Sequence, residues 1–530
     1  MALRHVTGRF ASSAAPRERV RRQEAPSAAA VYPTAGAPRR DARTPQTRRS
    51  AVAPAHLQLH KRLLLSAALV VPLSAAVVGF SSLGLRLGAP PSVLREAPQR
   101  GRILAADGTV LAEGDAEARR YPEGRLAAQL IGFSGARQPG GNFGLEGLEF
   151  TLDARLQAGE DVRLTIDPEL QAIAQGELAR AAREHGAENG AMVLLEAGSG
   201  RVLAAASYPQ FDPNTHRNLR DRTGVANRAF LQQVEPGSVM KPFLIAALMQ
   251  AGRLEADEVL EVESTIRVGN QTFRDVAPHD LELSIAEMLR YSSNVGMIKL
   301  GERFSSAELA AWYRHFGFGK DVGLKHLFTQ TGQINDPATW VPQDHASATI
   351  GQSVSATALQ LAAAYSVFAN DGVFVPPQIV ESEVLYEDGV RVGAERLLSP
   401  EVAEAVTEML VYTVENGSLT VAKIPGVTVA GKSGSADLFD TDKGVYINAG
   451  TLSFAGFFPA DDPKVTAVVY LQRVDPNRGS LSALVAAPVF RRVGSEVVAH
   501  WGVPETAAPS TLATAEGALT ATTTGLQRTR

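Results

Sequence analysis

The sequence predicts an α/β or α+β sandwich, one mixed sheet set between helices with its first and last strands meeting. Three observations carry this. Strand patterns gather at both ends of residues 161–504: at 162–166, 191–195 and 202–206, and again at 454–458 and 465–471. Capped helical patterns fill the interval between them. A chain of 530 residues that is 45% hydrophobic can bury at least one large core, divided over two or three domains.

Taken in order, residues 1–62 are rich in Ala, Arg, Pro and Ser without a hydrophobic period, and read as a disordered tail. They hold 13 Arg or Lys against 3 Asp or Glu, a net of +10, which leaves −14 on the remainder of a chain whose total is −4. Residues 63–85, directly after Lys61-Arg62, are 23 residues without a charge. As a helix they would reach roughly 35 Å, against about 30 Å of bilayer hydrocarbon, so a single transmembrane helix is expected there. Positive charge before the span puts the N-terminus in the cytoplasm and the acidic body outside. A cleaved signal peptide fits less well, because its apolar region runs about 7–15 residues behind a brief leader. The span also explains the basic tail better than nucleic acid does, so no nucleic-acid partner is expected. With no cysteine in the chain, disulfides and thiolate metal sites are excluded.

Residues 86–160 read as a small module of short elements. Gly88-Ala89-Pro90-Pro91 is a linker, and Ala106-Asp107-Gly108 turns a hairpin between apolar pairs at 103–104 and 110–111. The main domain is set at 161–504. Asp167-Pro168 caps a helix running to about His185, with proline at its first position. Gly198-Ser199-Gly200 turns between two strands, and an irregular polar stretch at 208–227 leads to Pro236-Gly237. The apolar run 243–249 then reads as a buried helix ending before Gly252. Ser284/Glu287 and Ser305/Glu308 form capping boxes that open two helices, and Tyr291-Ser292-Ser293-Asn294 lies between the first of these and a helical pattern at 295–304. Residues 357–368 are a buried helix, and Ser399-Pro400 starts another. A strand at 427–430 runs into Gly431-Lys432-Ser433-Gly434-Ser435. A helix at 487–500, with Pro488 in its first turn, closes the domain, and 505–530 read as a second disordered tail.

Ser238 and Lys241, at i and i+3, share one face of their helix. A hydroxyl is a poor nucleophile until its proton is taken. A desolvated lysine can take it, whereas an arginine cannot. Free N–H groups at a helix start also suit an acyl oxyanion. Of nine lysines, only Lys241 has a serine three positions before it. Two further polar groups stand out. Ser292 and Asn294 can pass a proton and hold a substrate amide. Lys432 offers positive charge, Ser433 a hydroxyl for a carboxylate, and Gly434 room for close backbone approach. Taken alone, the first reads rather as an ordinary polar helix connection and the second as an exposed strand end.

In this order, Ser238/Lys241, Ser292/Asn294 and Lys432-Ser433-Gly434 match the S-x-x-K, S-x-N and K-[T/S]-G set of penicillin-binding proteins and serine β-lactamases. Arg100-Gly101-Arg102-Ile103, Tyr121-Pro122-Glu123-Gly124, Gly144-Leu145-Glu146-Gly147, Leu164-Thr165-Ile166-Asp167 and Ser453-Phe454-Ala455-Gly456-Phe457 resemble class B penicillin-binding proteins, the division-type group above all. The resemblance spans residues 100–501. It implies the penicillin-binding transpeptidase fold with a mainly antiparallel sheet, and D,D-transpeptidase activity on peptidoglycan stem peptides, with β-lactams binding the same serine. It implies Ser238 as nucleophile, Lys241 as general base, and Ser292 and Asn294 as proton relay and substrate holders. Lys432 and Ser433 would bind the terminal carboxylate, with the N–H groups of Ser238 and Ser435 as oxyanion hole. The chemistry requires no cofactor or metal. A polytopic membrane glycosyltransferase and other division proteins are the implied partners.

Two departures stand against this pattern: serine at 433 where threonine is common, and only about twenty residues between Arg100-Gly101 and Tyr121, where relatives carry an extra head. The module at 86–160 is therefore a shortened pedestal. An elongation-type transpeptidase, a β-lactamase or β-lactam sensor, and a non-catalytic division scaffold are the alternative readings.

Overall fold

The computed structural model describes residues 99–215, 224–440, 445–478 and 481–502. The expected membrane span at 63–85 and both tails lie outside the described residues, as does part of the polar stretch at 208–227. No helix among the described residues is long and apolar enough to cross a membrane. The described residues belong to one compact unit, Leu94–Arg530.

The N-terminal module is built from a three-stranded sheet. Strands β1 (Ile103–Leu104) and β2 (Val110–Ala112) form the expected hairpin, and β3 (Val162–Arg163) pairs with β1 in parallel. The run 162–166 is thus a strand for only its first two residues, and it serves the small module rather than the main sheet. The module also holds a buried ion cluster. Glu149 takes Arg100 at 2.7 Å and Arg119 at 2.6 Å, and Arg100 also reaches Asp153 at 2.8 Å. Charges this deeply buried persist only when paired and hydrogen-bonded, and here each of the two carboxylates has a guanidinium partner.

The main sheet contains β4 (Asn189–Glu196) and β5 (Val202–Tyr208), with α1 (Pro168–His185) before them. Asp167 caps α1 by accepting the N–H groups of Glu169 and Leu170, both at 3.0 Å. The chain then runs through α2 (Lys241–Gln250), a hairpin of β6 (Thr265–Val268) and β7 (Gln271–Arg274), α3 (Ile285–Arg290), α4 (Asn294–Gly301), α5 (Ala358–Ala369) and α6 (Pro400–Glu415). It returns as β8 (Ala430–Asp440), β9 (Val445–Phe458) and β10 (Val465–Gln472), and ends in α7 (Ser482–Trp501).

The strand order is β8-β9-β10-β4-β5. The last strand does meet the first, with Val468 opposite Val193, but every pair in the sheet is antiparallel, so the sheet is not mixed. Its two faces separate by residue parity. Ala191, Val193, Leu195, Val468 and Tyr470 join the core that holds α2, α5 and α6, whereas Met192, Leu194, Val469 and Leu471 join the core under α1 and α7. Burial on both faces explains the unbroken apolar run at 191–195. Every residue of α5 is buried.

Two boundaries differ from the sequence pattern. Helix α7 begins five residues before Ala487 and carries Pro488 inside it. Its extra turn is held by Ser482, whose hydroxyl donates to Gly434 O at 2.5 Å. Strand β8 begins only at Ala430, because Val427 is held in an isolated bridge with Ile424. Lys432, Ser433 and Gly434 therefore stand inside an edge strand rather than beyond the end of one.

Candidate active site

The nucleophile candidate sits on a tight turn. Residues Gly237–Met240 form a single 3-10 turn that feeds directly into α2 at Lys241. In a 3-10 turn residues i and i+3 eclipse, so Ser238 and Lys241 stack on one side, as their spacing predicts. Gly237 makes the turn possible. Its φ is +63°, and a Cβ there would lie 2.4 Å from the Ser435 carbonyl oxygen. The turn is also held from beneath, where the Tyr365 hydroxyl donates to Val239 O at 2.7 Å. Behind it, Phe243 packs against Phe316, Phe318, Tyr365 and Phe368 with ring centroids 5.1–5.3 Å apart. From Pro242 to Leu248 helix α2 is apolar and buried on every side.

Lys241 is fully buried. Its ammonium nitrogen donates to Ser292 O at 2.6 Å and Asn294 Oδ1 at 2.8 Å, and lies 3.3 Å from Ser292 Oγ. Lys432, 1% exposed, reaches the same Ser292 Oγ at 3.0 Å and Ser433 O at 2.9 Å. Two amines thus share one hydroxyl, an arrangement that can pass a proton between them. Burial holds Lys241 well below the ordinary lysine range, the charge of Lys432 adds to that, and Asp275 opposes it. Burial alone pushes Lys432 down to about 7.

Ser292 occupies the turn between α3 and α4 with φ at +55°, a left-handed conformation rare for a residue with a side chain. Asn294 is the first residue of α4, and its Nδ2 donates to Arg274 O at 3.0 Å, which leaves Oδ1 facing Lys241. On the other side of the site, β8 is the edge strand. Gly434 is there because a Cβ would meet Pro236 O at 2.5 Å, so strand and serine turn touch backbone to backbone. Ser453 Oγ lies 3.3 Å from Pro236 O and 3.2 Å from Gly434 O, fastening the same contact. Ser433 is half-buried and Ser435 exposed, and the Ser435 hydroxyl meets that of Ser482 at 2.5 Å.

The structure therefore brings together Lys241, Ser292, Asn294 and Lys432 through side-chain contacts. It sets Ser238, Ser433, Gly434 and Ser435 on the two backbone segments that flank them. Asp275, Tyr365 and Ser482 carry no motif signal in the sequence, and Ser453 is named there only within the Ser453-Phe454-Ala455-Gly456-Phe457 run, not as a site residue. Each acts from a separate element. Among the described residues no group of three or more His, Asp or Glu side chains gathers as a metal ion would require.

The model of the penicillin-binding protein transpeptidase domain matches residues 190–494. The penicillin-binding protein PbpB of Mycolicibacterium smegmatis is 30% identical over 427 residues, which cover 73% of this chain and 65% of that protein. The probable peptidoglycan D,D-transpeptidase PenA of Neisseria gonorrhoeae is 31% identical over 402 residues, covering 71% and 67%. PbpB of Mycobacterium tuberculosis is 30% identical, and this chain covers 62% of it, so the chain spans less than two thirds of the two mycobacterial proteins. The crystal structure of penicillin-binding protein 3 from M. tuberculosis in complex with aztreonam superposes with a TM-score of 0.69 at 30% identity, over 78% of this chain and 98% of that one. With more than half its length inside the matched domain, the chain belongs to the penicillin-binding protein transpeptidase family, among the class B penicillin-binding proteins.

Proposed function

We propose that the protein is a serine D,D-transpeptidase that cross-links peptidoglycan stem peptides at the division septum, and that penicillins acylate the same serine. The observation that carries this reading is the buried Lys241 amine, held by Ser292 and Asn294 and one 3-10 turn from Ser238. In this reading Ser238 Oγ attacks the carbonyl carbon of the penultimate D-alanine while its proton passes to neutral Lys241. The N–H groups of Ser238 and Ser435 receive the oxyanion, and loss of one such donor typically costs about 10² to 10³ in rate. As the amide C–N bond breaks, the proton returns from Lys241 through Ser292 Oγ to the departing D-alanine amine. The amine of a neighbouring stem then attacks the acyl-serine, forms the cross-link and restores Ser238. Lys432 and Ser433 hold the terminal carboxylate.

The division role draws support from relatives named PbpB, PenA and FtsI. Anchoring by residues 63–85, with the catalytic domain outside the cytoplasmic membrane, rests on the charge pattern of the sequence, as does partnership with membrane-bound division proteins on the resemblance.

The deciding experiment incubates the full chain with a fluorescent penicillin beside Ser238→Ala and follows the covalent label over hours. A stable label that the variant lacks is the expected result. A label that forms and clears within seconds would make the protein a hydrolase, and no label on folded wild type would make it a scaffold.

A further inference from the structure

The turn that carries Ser292 and Asn294 is built from outside itself. Asp275 follows directly on β7, and its N–H donates to Ser264 O at 3.0 Å, closing the base of the β6–β7 hairpin. Its side chain is 1% exposed and points at the start of α4. Oδ1 accepts the N–H groups of Asn294 at 2.5 Å and Val295 at 3.0 Å. Oδ2 accepts the Ser293 hydroxyl at 2.6 Å, and Ser293 Oγ in turn accepts Gly296 N–H at 2.8 Å. One carboxylate and one serine thus satisfy the three N–H groups that open the helix, where negative charge is favoured.

The hairpin fixes the side chain of Asn294 as well. Arg274 O takes its Nδ2, which turns Oδ1 to Lys241. Ser292 is left between two restraints, with Lys241 on its carbonyl and Asp275 on the three residues that follow. That is the kind of over-determination a left-handed serine requires.

Asp275 has its own support. His279 Nε2 faces Asp275 Oδ2 at 2.9 Å, and His279 Nδ1 faces Asp280 O at 2.7 Å. Both ring nitrogens meet acceptors, so the contacts suit the doubly protonated imidazolium. Burial lowers the His279 pKa, but the bonds to Asp280 O and Asp275 outweigh it and the net shift is upward. The Tyr291 ring lies 5.8 Å away.

We propose that Asp275 is a positioning residue for acyl transfer: it sets the Ser292–Asn294 turn and thereby aims Ser292 O and Asn294 Oδ1 at the Lys241 amine. This rests on the transpeptidase reading above and extends it to the β6–β7 hairpin, about twenty residues before Asn294 and outside all three motifs.

The test measures the second-order acylation rate of the full chain with fluorescent penicillin across pH, with circular dichroism on each protein. Asp275→Ala is expected to fold and to acylate about 10²-fold more slowly, the penalty of a misplaced catalytic group. Asp275→Asn keeps an acceptor for Asn294 and Val295, and its amide can donate to Ser293 Oγ and to neutral His279 Nε2. It is expected to recover most of the rate. Because the Asp275 charge favours the Lys241 ammonium, the acid limb of its pH profile should move to lower pH. A folded Asp275→Ala with wild-type rate, or Asp275→Asn no faster than Asp275→Ala, overturns the proposal. Should Asp275→Ala not fold, a folded Asp275→Asn that acylates about 10²-fold more slowly than wild type overturns it instead. Absence of label on wild type, or label on Ser238→Ala, would count against the transpeptidase reading and not against this one.

Discussion

Lys241 and Lys432, both buried, place two amines within reach of one hydroxyl, and the environment disfavours carrying both as ammonium ions. In the proposed mechanism neutral Lys241 accepts the Ser238 proton, so acylation should quicken as pH rises through its folded pKa and then level. Burial and Lys432 lower that pKa, so the plateau should be reached well below the ordinary lysine value of about 10.4. A rate that still climbs around that ordinary value would refute Lys241 as base. Stability follows the same sign. With folded pKa values below the unfolded ones, the native state binds fewer protons between the two. Stability should therefore fall as pH drops from about 10.4 and stop falling below the folded values, about 7 for Lys432. Lys241→Arg stays charged at every pH and should slow acylation by about 10² to 10⁴, read as loss of fluorescent label on a protein of unchanged circular dichroism.

Among the elements, the serine turn and the edge strand β8 form one unit, because Gly237 and Gly434 let their backbones touch. Gly237→Ala must hold a positive φ and push a methyl against Ser435 O, a strain of about 1–3 kcal/mol before the clash is counted. The turn or the strand has to move. The expected outcome is a protein that folds and labels with penicillin about 10²-fold more slowly. Labelling at the wild-type rate would mean that the contact does not set the site. The sequence made some of this scale legible. Ser284/Glu287 and Ser305/Glu308 are capping boxes in the structure, and Thr357 caps α5 with Gln360. Those signals are local, closed within four residues. The start of β8 and the extra turn of α7 depend on contacts with distant segments, and local pattern misplaced both.

For the whole molecule, the small N-terminal module shares one continuous core with the main domain, from Ile103 and Phe133 through Leu164 to Val193. Arg100 is the anchor of that module, since it is buried against Glu149 and Asp153. A cut ahead of it spares the cluster. Removal of residues 1–85 should therefore leave a soluble protein that still takes up penicillin, measured by label in the supernatant after ultracentrifugation. An insoluble or unlabelled product would count against both the membrane anchor and the domain boundaries proposed from the sequence.

The sequence by itself determined the family, the order of the three motifs and most of the helices. These are written in short-range signals: a serine three residues before a lysine, a cap with its partner, an apolar run of helical length. Only the tertiary structure decided how the motifs meet. The 2.8 Å bond from Lys241 to Asn294, the hydroxyl of Ser292 shared by two lysines, and the carboxylate of Asp275 behind them join segments that lie from about twenty to nearly two hundred residues apart. No spacing encodes such contacts. They arise because the antiparallel sheet closes its last strand on its first and brings β8 against the buried serine turn.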